Sequence, residues 1–452
     1  MKDDPRTKAL SILSTLDTGH WTLDALMEQP QVASGFSDHR DRSLLNALVY
    51  GVLRWRGRLD YILAGFSKTP LHKVDPAILN ILRLALFQII YLDRVPASAA
   101  VNSAVNMAKK RAPAWVAGYV NALLRRSAAE HPRLAFPHPG ADPILALATA
   151  FSFPHWLVKR WMKRYGAETT ERLCEDLNRI PPISVRANRL KANPEALISA
   201  LRGEVEDVGP GRCAPDAVTF TRPRVSIPEL TAFKEGKFQV QDEAAQLITL
   251  LLDPQPQETV LDACAGLGGK TGHTAACMQN RGQILALDKD IEKLQKLDRE
   301  MQRLGVDIVE TRACDLEQAP AEGLRGRFDR ILLDAPCSGL GTIRRNPDIK
   351  WAAHKNELNR LGETQQRLLA NLADLLKRGG VMVYAVCSLE PEENEQPLNW
   401  FLKNRPEFAI DRNAGRLPTP ASTTVLSSGC FKTHPEFTGM DGFFAVRLVR
   451  RR

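Results

Sequence analysis

From about residue 236 the chain alternates short apolar runs with amphipathic helical stretches, and this rhythm constrains the fold more than any other feature. The runs are TVLDACA, QILALD, DIVETR, FDRILLDA and GGVMVYAV. Between the second and third, DIEKLQKLDREMQRLG sets Ile291, Leu294, Leu297, Met301 and Leu304 on one helical face, and Gly305 supplies a stop. Between the fourth and fifth, KNELNRLGETQQRLLANLADLLKRGG is a long amphipathic helix ending in glycines. Alternation of this kind predicts a parallel, doubly wound sheet. Such sheets hold their ligands at the carboxyl ends of the strands.

The first strand–helix turn reads VLDACAGLGGKTG. Its GGKT tail invites a phosphate loop, but a Walker loop needs glycine six positions before the lysine, where Cys264 stands. Gly266, Gly268 and Gly269 instead let backbone approach a ligand without Cβ obstruction. Asp288 ends the next strand, where a carboxylate can accept from both ribose hydroxyls. Asp315, in ACDLE, ends the third, where an adenine amino group would lie. Three matched strand ends fit S-adenosyl-L-methionine. A nicotinamide dinucleotide would use the same glycines and ribose acid, so the loop alone leaves both open.

Two cysteines narrow the chemistry. Cys337 follows the fourth run in FDRILLDAPCSG, and Cys387 follows the fifth in VMVYAVCSLEPEEN, just before a cluster of acids. Enzymes that methylate exocyclic amines place D/N-P-P-aromatic at this strand end, the ring stacking on the base. Here Asp334-Ala335-Pro336-Cys337 replaces the ring with a thiol, which adds to carbon rather than stacking. Carbon 5 of cytosine is a poor nucleophile until a thiolate adds at carbon 6 and makes the ring an enamine. An acid supports N3 during addition, and Asp334 is the candidate. A second thiol can assist the loss of the carbon-5 proton and the expulsion of the first. Which cysteine attacks is left open by the residues themselves.

The rest of the chain has a different character. Residues 1–130 read as an all-α domain: Leu44, Leu45, Leu48, Val49, Val52 and Leu53 form one stripe, and Val101, Val105 and Ala108 another. Proline-dense 131–150 reads as a linker, 151–235 as a small α+β module, and 236–452 as the α/β domain. Residues 1–130 carry 17 Lys/Arg against 11 Asp/Glu, within a net charge of +9, which favours a polyanionic partner. Arg54, Arg56, Arg58, Lys109, Lys110 and Arg111 are candidate RNA contacts there. Arg344, Arg345 and Lys350 of TIRRNPDIKW are others beside the thiol loop, and that stretch also carries Trp351. The target base has to leave any stack to reach a thiol. Eight cysteines without a CxxC pair argue against a zinc ribbon or disulfide framework, so no metal is expected. No membrane span or signal core is evident, and a cytoplasmic monomer is the expectation.

DACAGLGGKT, DAPCSGLGTIRRNPDIKW and VYAVCSLEPEENE resemble the motifs of the Nol/Nop/Sun family of RNA cytosine-5 methyltransferases. RVPASAAVNSAVNMAKK resembles the NusB-like helical domain joined to that catalytic unit in a bacterial member acting on small-subunit ribosomal RNA. PPISVRANRLK resembles the family's small RNA-recognition module. The resemblance implies an all-α NusB-like domain, a small α+β RNA-recognition module and a Rossmann-like class I S-adenosylmethionine methyltransferase domain. It implies that Cys387 is the nucleophile and that Cys337 aids product release. It further implies that Cys264, Ala265, Gly266, Leu267, Gly268, Gly269 and Lys270, with Asp288, Asp315 and Asp334, hold the cofactor. The substrate implied is 16S ribosomal RNA, free or in early assembly. Where the family has Ala-Pro before the paired glycines this chain has Gly266-Leu267, which implies altered loop stiffness with binding kept. Three other readings remain: a non-catalytic ribosome-assembly factor, a transfer-RNA methyltransferase, and a DNA cytosine methyltransferase using Cys337.

Overall fold

The computed structural model describes residues 4–29, 32, 36, 38–318, 323–412, 417–418 and 424–451. The chain forms two compact units, one of Met1–Arg179 with Ile343–Ala352, the other of Ile180–Thr342 with Ala353–Arg452.

The first unit is helical: α1 (Pro5–Leu16), α2 (Leu23–Met27), α3 (His39–Phe66), α4 (Pro76–Tyr91), α5 (Ala97–Lys109), α6 (Ala114–Glu130), α7 (Pro143–Ala150), α8 (His155–Tyr165) and α9 (Ala167–Asn178). Asp-Pro pairs open α1, α4 and α7. In each the aspartate caps a first-turn N–H, and proline occupies the position where its missing donor costs nothing. The last of these pairs places a helix in the second half of 131–150, the stretch expected to be linker. Helix α4 is apolar nearly all round and is accordingly the buried one. It lies so close to α3 that a Cβ on Gly51 would sit 2.0 Å from Phe87 Cζ. The Leu45, Leu48, Val49, Val52 and Leu53 stripe faces this core. One charged pair enters it: Arg83 donates Nε and Nη2 to the two oxygens of Asp60, both at 2.7 Å.

Residues 343–352 arrive in this unit from the far side of the sequence. Lys350 is fully buried. Its ammonium donates to the carbonyls of Arg54 (3.1 Å) and Ser152 (3.3 Å) and to Asn178 Oδ1, and lies 3.8 Å from the Phe153 ring centroid. Burial, then the nearby Arg54 charge, pushes its pKa well below the ordinary lysine value. Trp351 Nε1 donates to the Leu53 carbonyl at 2.7 Å, and Arg54 donates to the Arg344 carbonyl. Arg54, Arg344 and Lys350, offered by the sequence as RNA contacts, are therefore buried groups that bind protein. Burying a cation is costly unless its donors are satisfied, and for Lys350 two carbonyls and an amide oxygen satisfy them.

The second unit holds two sheets. The smaller has order β2-β3-β1-β4, from β1 (Ile183–Ala187), β2 (Glu206–Pro210), β3 (Ala217–Thr221) and β4 (Phe238–Val240), with α10 (Pro194–Leu201) after β1. Helix α11 (Glu243–Leu252) leads into the larger sheet. Its order is β10-β12-β9-β8-β5-β6-β7, with β11 also on β12. Those strands are β5 (Thr259–Asp262), β6 (Gln283–Asp288), β7 (Val309–Ala313), β8 (Phe328–Asp334), β9 (Leu376–Val386), β10 (Phe408–Ile410), β11 (Cys430–Thr433) and β12 (Phe443–Arg450). Crossovers include α12 (Gly269–Cys277), α13 (Ile291–Leu304), α14 (Lys355–Ala373) and α15 (Glu395–Asn404). Strands β5 to β9 are parallel, as alternation predicts. The last three are antiparallel, so the sheet is mixed. The β11–β12 connection is too short for a parallel crossover. Gly305 ends α13 in the left-handed region (φ +75°), where a side chain would be strained.

Lys350→Ala would leave two carbonyls and an amide oxygen buried without a donor. It is expected to cost about 3 kcal/mol, read as a lower melting temperature for the transition of the helical unit in calorimetry. An unchanged thermogram would remove Lys350 from this role.

Candidate active site

The parallel strands β5, β6, β7, β8 and β9 bring five acidic or thiol-bearing strand ends to one edge of the sheet. Burial of the strands' apolar faces fixes their register, so each residue just past a strand points where the pleat dictates. After β5 the chain makes the glycine loop. Gly266 has φ +55° and Gly268 +83°, values that favour glycine. A Cβ on Gly268 would lie 2.7 Å from Leu297 Cγ, so this glycine is also needed for close packing on α13. A Cβ on Gly266 would meet nothing within 4 Å; it would project into open space.

That space is a cleft of about 210 Å³ lined by Cys264, Gly266, Asp288, Asp315 and Asp334, with Pro336 and Leu368 as part of its apolar wall. The Gly266 N–H donates to Asp288 Oδ2 at 2.9 Å, tying the loop to the end of β6. Asp288 Oδ1 accepts from the Asp290 N–H (3.0 Å), which leaves each carboxylate oxygen a further lone pair. Of the remaining loop residues, Ala265 is buried and its N–H bonds to the Leu287 carbonyl, while Leu267 is exposed. Gly269 opens α12. These shape the loop rather than line the cleft.

Lys270 reaches the end of β8, where its ammonium lies 2.5 Å from Asp334 Oδ2 and 5.4 Å from the Phe443 ring centroid. Burial alone would lower the pKa of Lys270, but the Asp334 charge and hydrogen bond outweigh it, and the net shift is upward.

Cys337 and Cys387 meet. Their Sγ atoms are 3.0 Å apart and both thiols are free, at hydrogen-bonding distance and well beyond the roughly 2.05 Å of a disulfide. The hydrogen bond with Cys387, and then burial, push Cys337 well above the usual thiol range.

The acids after Cys387 explain how the pair is held. Glu393 is fully buried and its carboxylate returns to both cysteine loops. It accepts from Ser338 N–H and Ser338 Oγ, each at 2.6 Å, and from Ser388 Oγ. Burial raises its pKa, and these donors oppose the rise. Behind it, Gln365 Nε2 donates to the Pro336 carbonyl (3.0 Å) and its Oε1 lies 3.0 Å from Tyr384 Oη. Glu393 was not among the residues expected from sequence. Its signal was the repeated Cys-Ser at both strand ends, two identical donors that need one acceptor.

Two more groups were missed. Asp262, the last residue of β5, accepts from Thr271 Oγ1 at 2.7 Å and so closes the glycine loop from beneath. Burial, opposed by that hydrogen bond and reinforced by the Asp334 charge, raises its pKa to about 7. Arg186 of β1 is buried and donates to the Gly269 carbonyl (2.9 Å), to Gln239 Oε1 (2.8 Å) and to Gln241 Oε1. Together with Lys191, which donates to the Arg303 carbonyl at 2.7 Å, it anchors the small sheet to the glycine loop and α13. Arg186 is therefore spent on protein, while Lys191 binds protein from an exposed position.

The sheet order, the glycine loop and the acidic strand ends define the Rossmann-like fold of S-adenosylmethionine-dependent methyltransferases. Residues 249–449 match the family described as 16S rRNA methyltransferase RsmB/F, residues 3–129 the NusB family, and residues 153–227 the RsmF/B-like ferredoxin-like domain. The chain is 36% identical to the probable ribosomal RNA small subunit methyltransferase B of Bacillus subtilis, over 100% of this chain and 99% of that protein. It is 34% identical to ribosomal RNA small subunit methyltransferase B of Pseudomonas putida, over 91% of each. The crystal structure of PH0851 superposes with a TM-score of 0.83 at 28% identity, covering 99% of both chains. A methyltransferase homolog from Pyrococcus horikoshii gives a TM-score of 0.57 at 28% identity, covering 69% of this chain and 99% of its own. The chain belongs to the RsmB/F family of methyltransferases. Among the described residues, no cluster of His, Cys, Asp and Glu is arranged to hold a metal ion, and no helix is long and apolar enough to cross a membrane.

The raised pKa of Asp262 fixes the sign of a pH effect. Between about pH 4, where the unfolded carboxyl titrates, and about pH 7, the folded state binds the extra proton. The contribution of Asp262 to stability is therefore full below pH 4 and is lost as pH rises through 7. Asp262→Asn, which keeps an acceptor for Thr271, is expected to match the parent near pH 4 and to melt higher at pH 8. Parallel melting curves across this range would contradict the assignment.

Proposed function

We propose that this protein transfers a methyl group from S-adenosyl-L-methionine to carbon 5 of a cytosine in small-subunit ribosomal RNA, through a transient bond from Cys387 to carbon 6. The observation that carries the proposal is the meeting of two thiols beside the Lys270–Asp334 pair, at the rim of a glycine-loop cleft. Family membership and the names of the relatives support the RNA substrate.

The cleft suits the cofactor. Gly266 leaves room where a side chain would intrude, and the strand-end carboxylates of Asp288 and Asp315 keep lone pairs for ribose hydroxyls and an adenine amino group. Asp334 closes the side nearest the thiols. When bound, S-adenosylmethionine supplies an electrophilic methyl group on a sulfonium.

The residues then divide the work. Cys387 loses its proton and its sulfur adds to carbon 6, sending the electron pair toward N3. The Lys270–Asp334 pair supplies a proton to that nitrogen's edge. In the pair the lysine is the proton carrier and the carboxylate the acceptor that aims it. The enamine so formed has its nucleophilic carbon at position 5, which takes the methyl group. Loss of the carbon-5 proton to solvent, cleavage of the carbon 6–sulfur bond with its electron pair leaving on the Cys387 sulfur, and return of the N3 proton to Lys270 restore the aromatic ring and give Cys387 back as thiolate. Cys337, one hydrogen bond away, keeps its proton and donates a hydrogen bond to the departing Cys387 sulfur, which assists the expulsion. The assignment of Cys387, not Cys337, as the attacking thiol rests on the resemblance of VYAVCSLEPEENE to the family's motif. Glu393 keeps the two loops in register throughout.

Sequencing of bisulfite-treated ribosomal RNA from cells with and without the gene tests substrate and position together, and transfer RNA from the same cells tests the alternative. With purified protein and ribosomal RNA, Cys387→Ser should abolish methyl transfer. Cys337→Ser should accumulate a protein–RNA adduct that survives denaturing electrophoresis. Full activity in Cys387→Ser would end the mechanism; an inert Cys337→Ser without adduct would reverse the two roles. Glu393→Gln replaces an acceptor of three hydrogen bonds and lets the thiols drift. Transfer should slow about 100-fold while cofactor affinity in calorimetry stays unchanged. Equal loss of both would show a general structural defect.

A further inference from the structure

The first unit carries a groove that the chemistry at the thiols does not use. Its volume is about 630 Å³, within the range of small-molecule sites, and its walls come from the start of α4, the α5–α6 turn and the first turns of α6. Trp115 is 74% exposed, an unusual position for the most costly ring to leave in water. Tyr119, four residues on, lies on the same face of α6. Its hydroxyl is 2.9 Å from Ser67 Oγ, which in turn donates to the Thr69 carbonyl, so the ring is held in place. Pro113 and Ile78 extend the apolar floor.

The rim is cationic. Lys73 and Arg111 line the groove, and Lys109 and Lys110 adjoin Arg111 in the chain. All four are exposed and, among the described residues, carry no ion pair. Asp75 is the acid of the groove. It caps α4 by accepting from Ala77 N–H (2.9 Å) and Ile78 N–H (3.1 Å), so its charge faces a helix N-terminus. Rings for bases and uncommitted cations for phosphates are the two elements of single-strand recognition. Unlike Lys350, whose ammonium donates to two protein carbonyls and an amide oxygen, these cationic side chains make no hydrogen bond or ion pair to protein among the described residues.

We propose that this groove binds unpaired RNA, one base stacking on Trp115 and adjacent phosphates meeting Lys73 and Arg111. The inference deepens the proposed function, on whose RNA substrate it rests, by assigning the substrate a second contact in the helical unit.

The test uses the full-length protein without cofactor and a fluorescein-labelled single-stranded RNA of mixed sequence, followed by anisotropy. Trp115→Ala, a change at an exposed first-turn position, should weaken binding about 10-fold, the loss of one stacked base. Trp115→Phe should recover most of it. RNA should quench tryptophan emission in the parent, and less so in Trp115→Phe. Lys73→Ala with Arg111→Ala should flatten the slope of log affinity against log salt by about 1.4, two single-strand phosphates' worth. Fully duplexed RNA should not respond to Trp115→Ala. Parent-like affinity and salt slope in all three variants would overturn the proposal, including the case in which the groove takes an acidic protein segment. Weakened binding by Trp115→Ala in a protein that modifies no cytosine would leave the groove standing and sink the proposed reaction instead.

Discussion

One buried carboxylate holds the site together. Glu393 takes three hydrogen bonds from Ser338 and Ser388, the residues directly after the two cysteines, and so sets the distance between loops that end different strands. Strand pairing alone would bring β8 and β9 side by side but would leave the turns beyond them free to splay. An ionised or half-ionised group in a dry interior is tolerated only when its acceptors are filled, and the two serines fill them. The requirement is mutual: without the carboxylate the Ser338 N–H loses its acceptor and the two serine hydroxyls keep only each other, at 3.3 Å. This mutual need explains why a cluster of acids follows a cysteine in VCSLEPEEN.

Around this clamp the polar groups form a graded series. Asp262 beneath the loop is buried and inclined to keep its proton, while Asp334 at the rim is paired with Lys270. Carboxyls along the glycine-loop strands thus sit in different environments, and environment rather than residue type divides their roles. Environment also acts on Cys337, whose pKa is pushed up by the hydrogen bond with Cys387 and by burial.

The positive charge of the chain also divides in two. Arg344 is buried, and Arg54, Arg186 and Lys350 are buried and bind backbone carbonyls or amide oxygens, joining distant stretches of sequence. Lys73, Lys109, Lys110 and Arg111 face solvent. Net charge, an attribute of the whole chain, cannot distinguish them. In TIRRNPDIKW a cation-rich, tryptophan-bearing stretch looks like a nucleic-acid contact, yet Lys350 and Trp351 are what anchor it inside the helical unit.

Local chemistry was legible without coordinates. Alternation of apolar runs and amphipathic helices is a property of neighbouring residues, and it marked β5 to β9 and the face of α13. Glycine after a strand, acids at the next strand ends and paired cysteines likewise declare themselves by position. Long-range partnership did not. That β12 returns antiparallel to β9, that Glu393 reaches back 55 residues to Ser338, and that Lys350 finds Arg54, Ser152 and Asn178 all depend on which surfaces the fold brings together. The sequence determined which residues could perform chemistry, because side-chain type and local period are written in it. Tertiary structure decided which cations are buried and how far apart the two sulfurs lie, because burial and hydrogen bonding between remote segments exist only once the chain has folded.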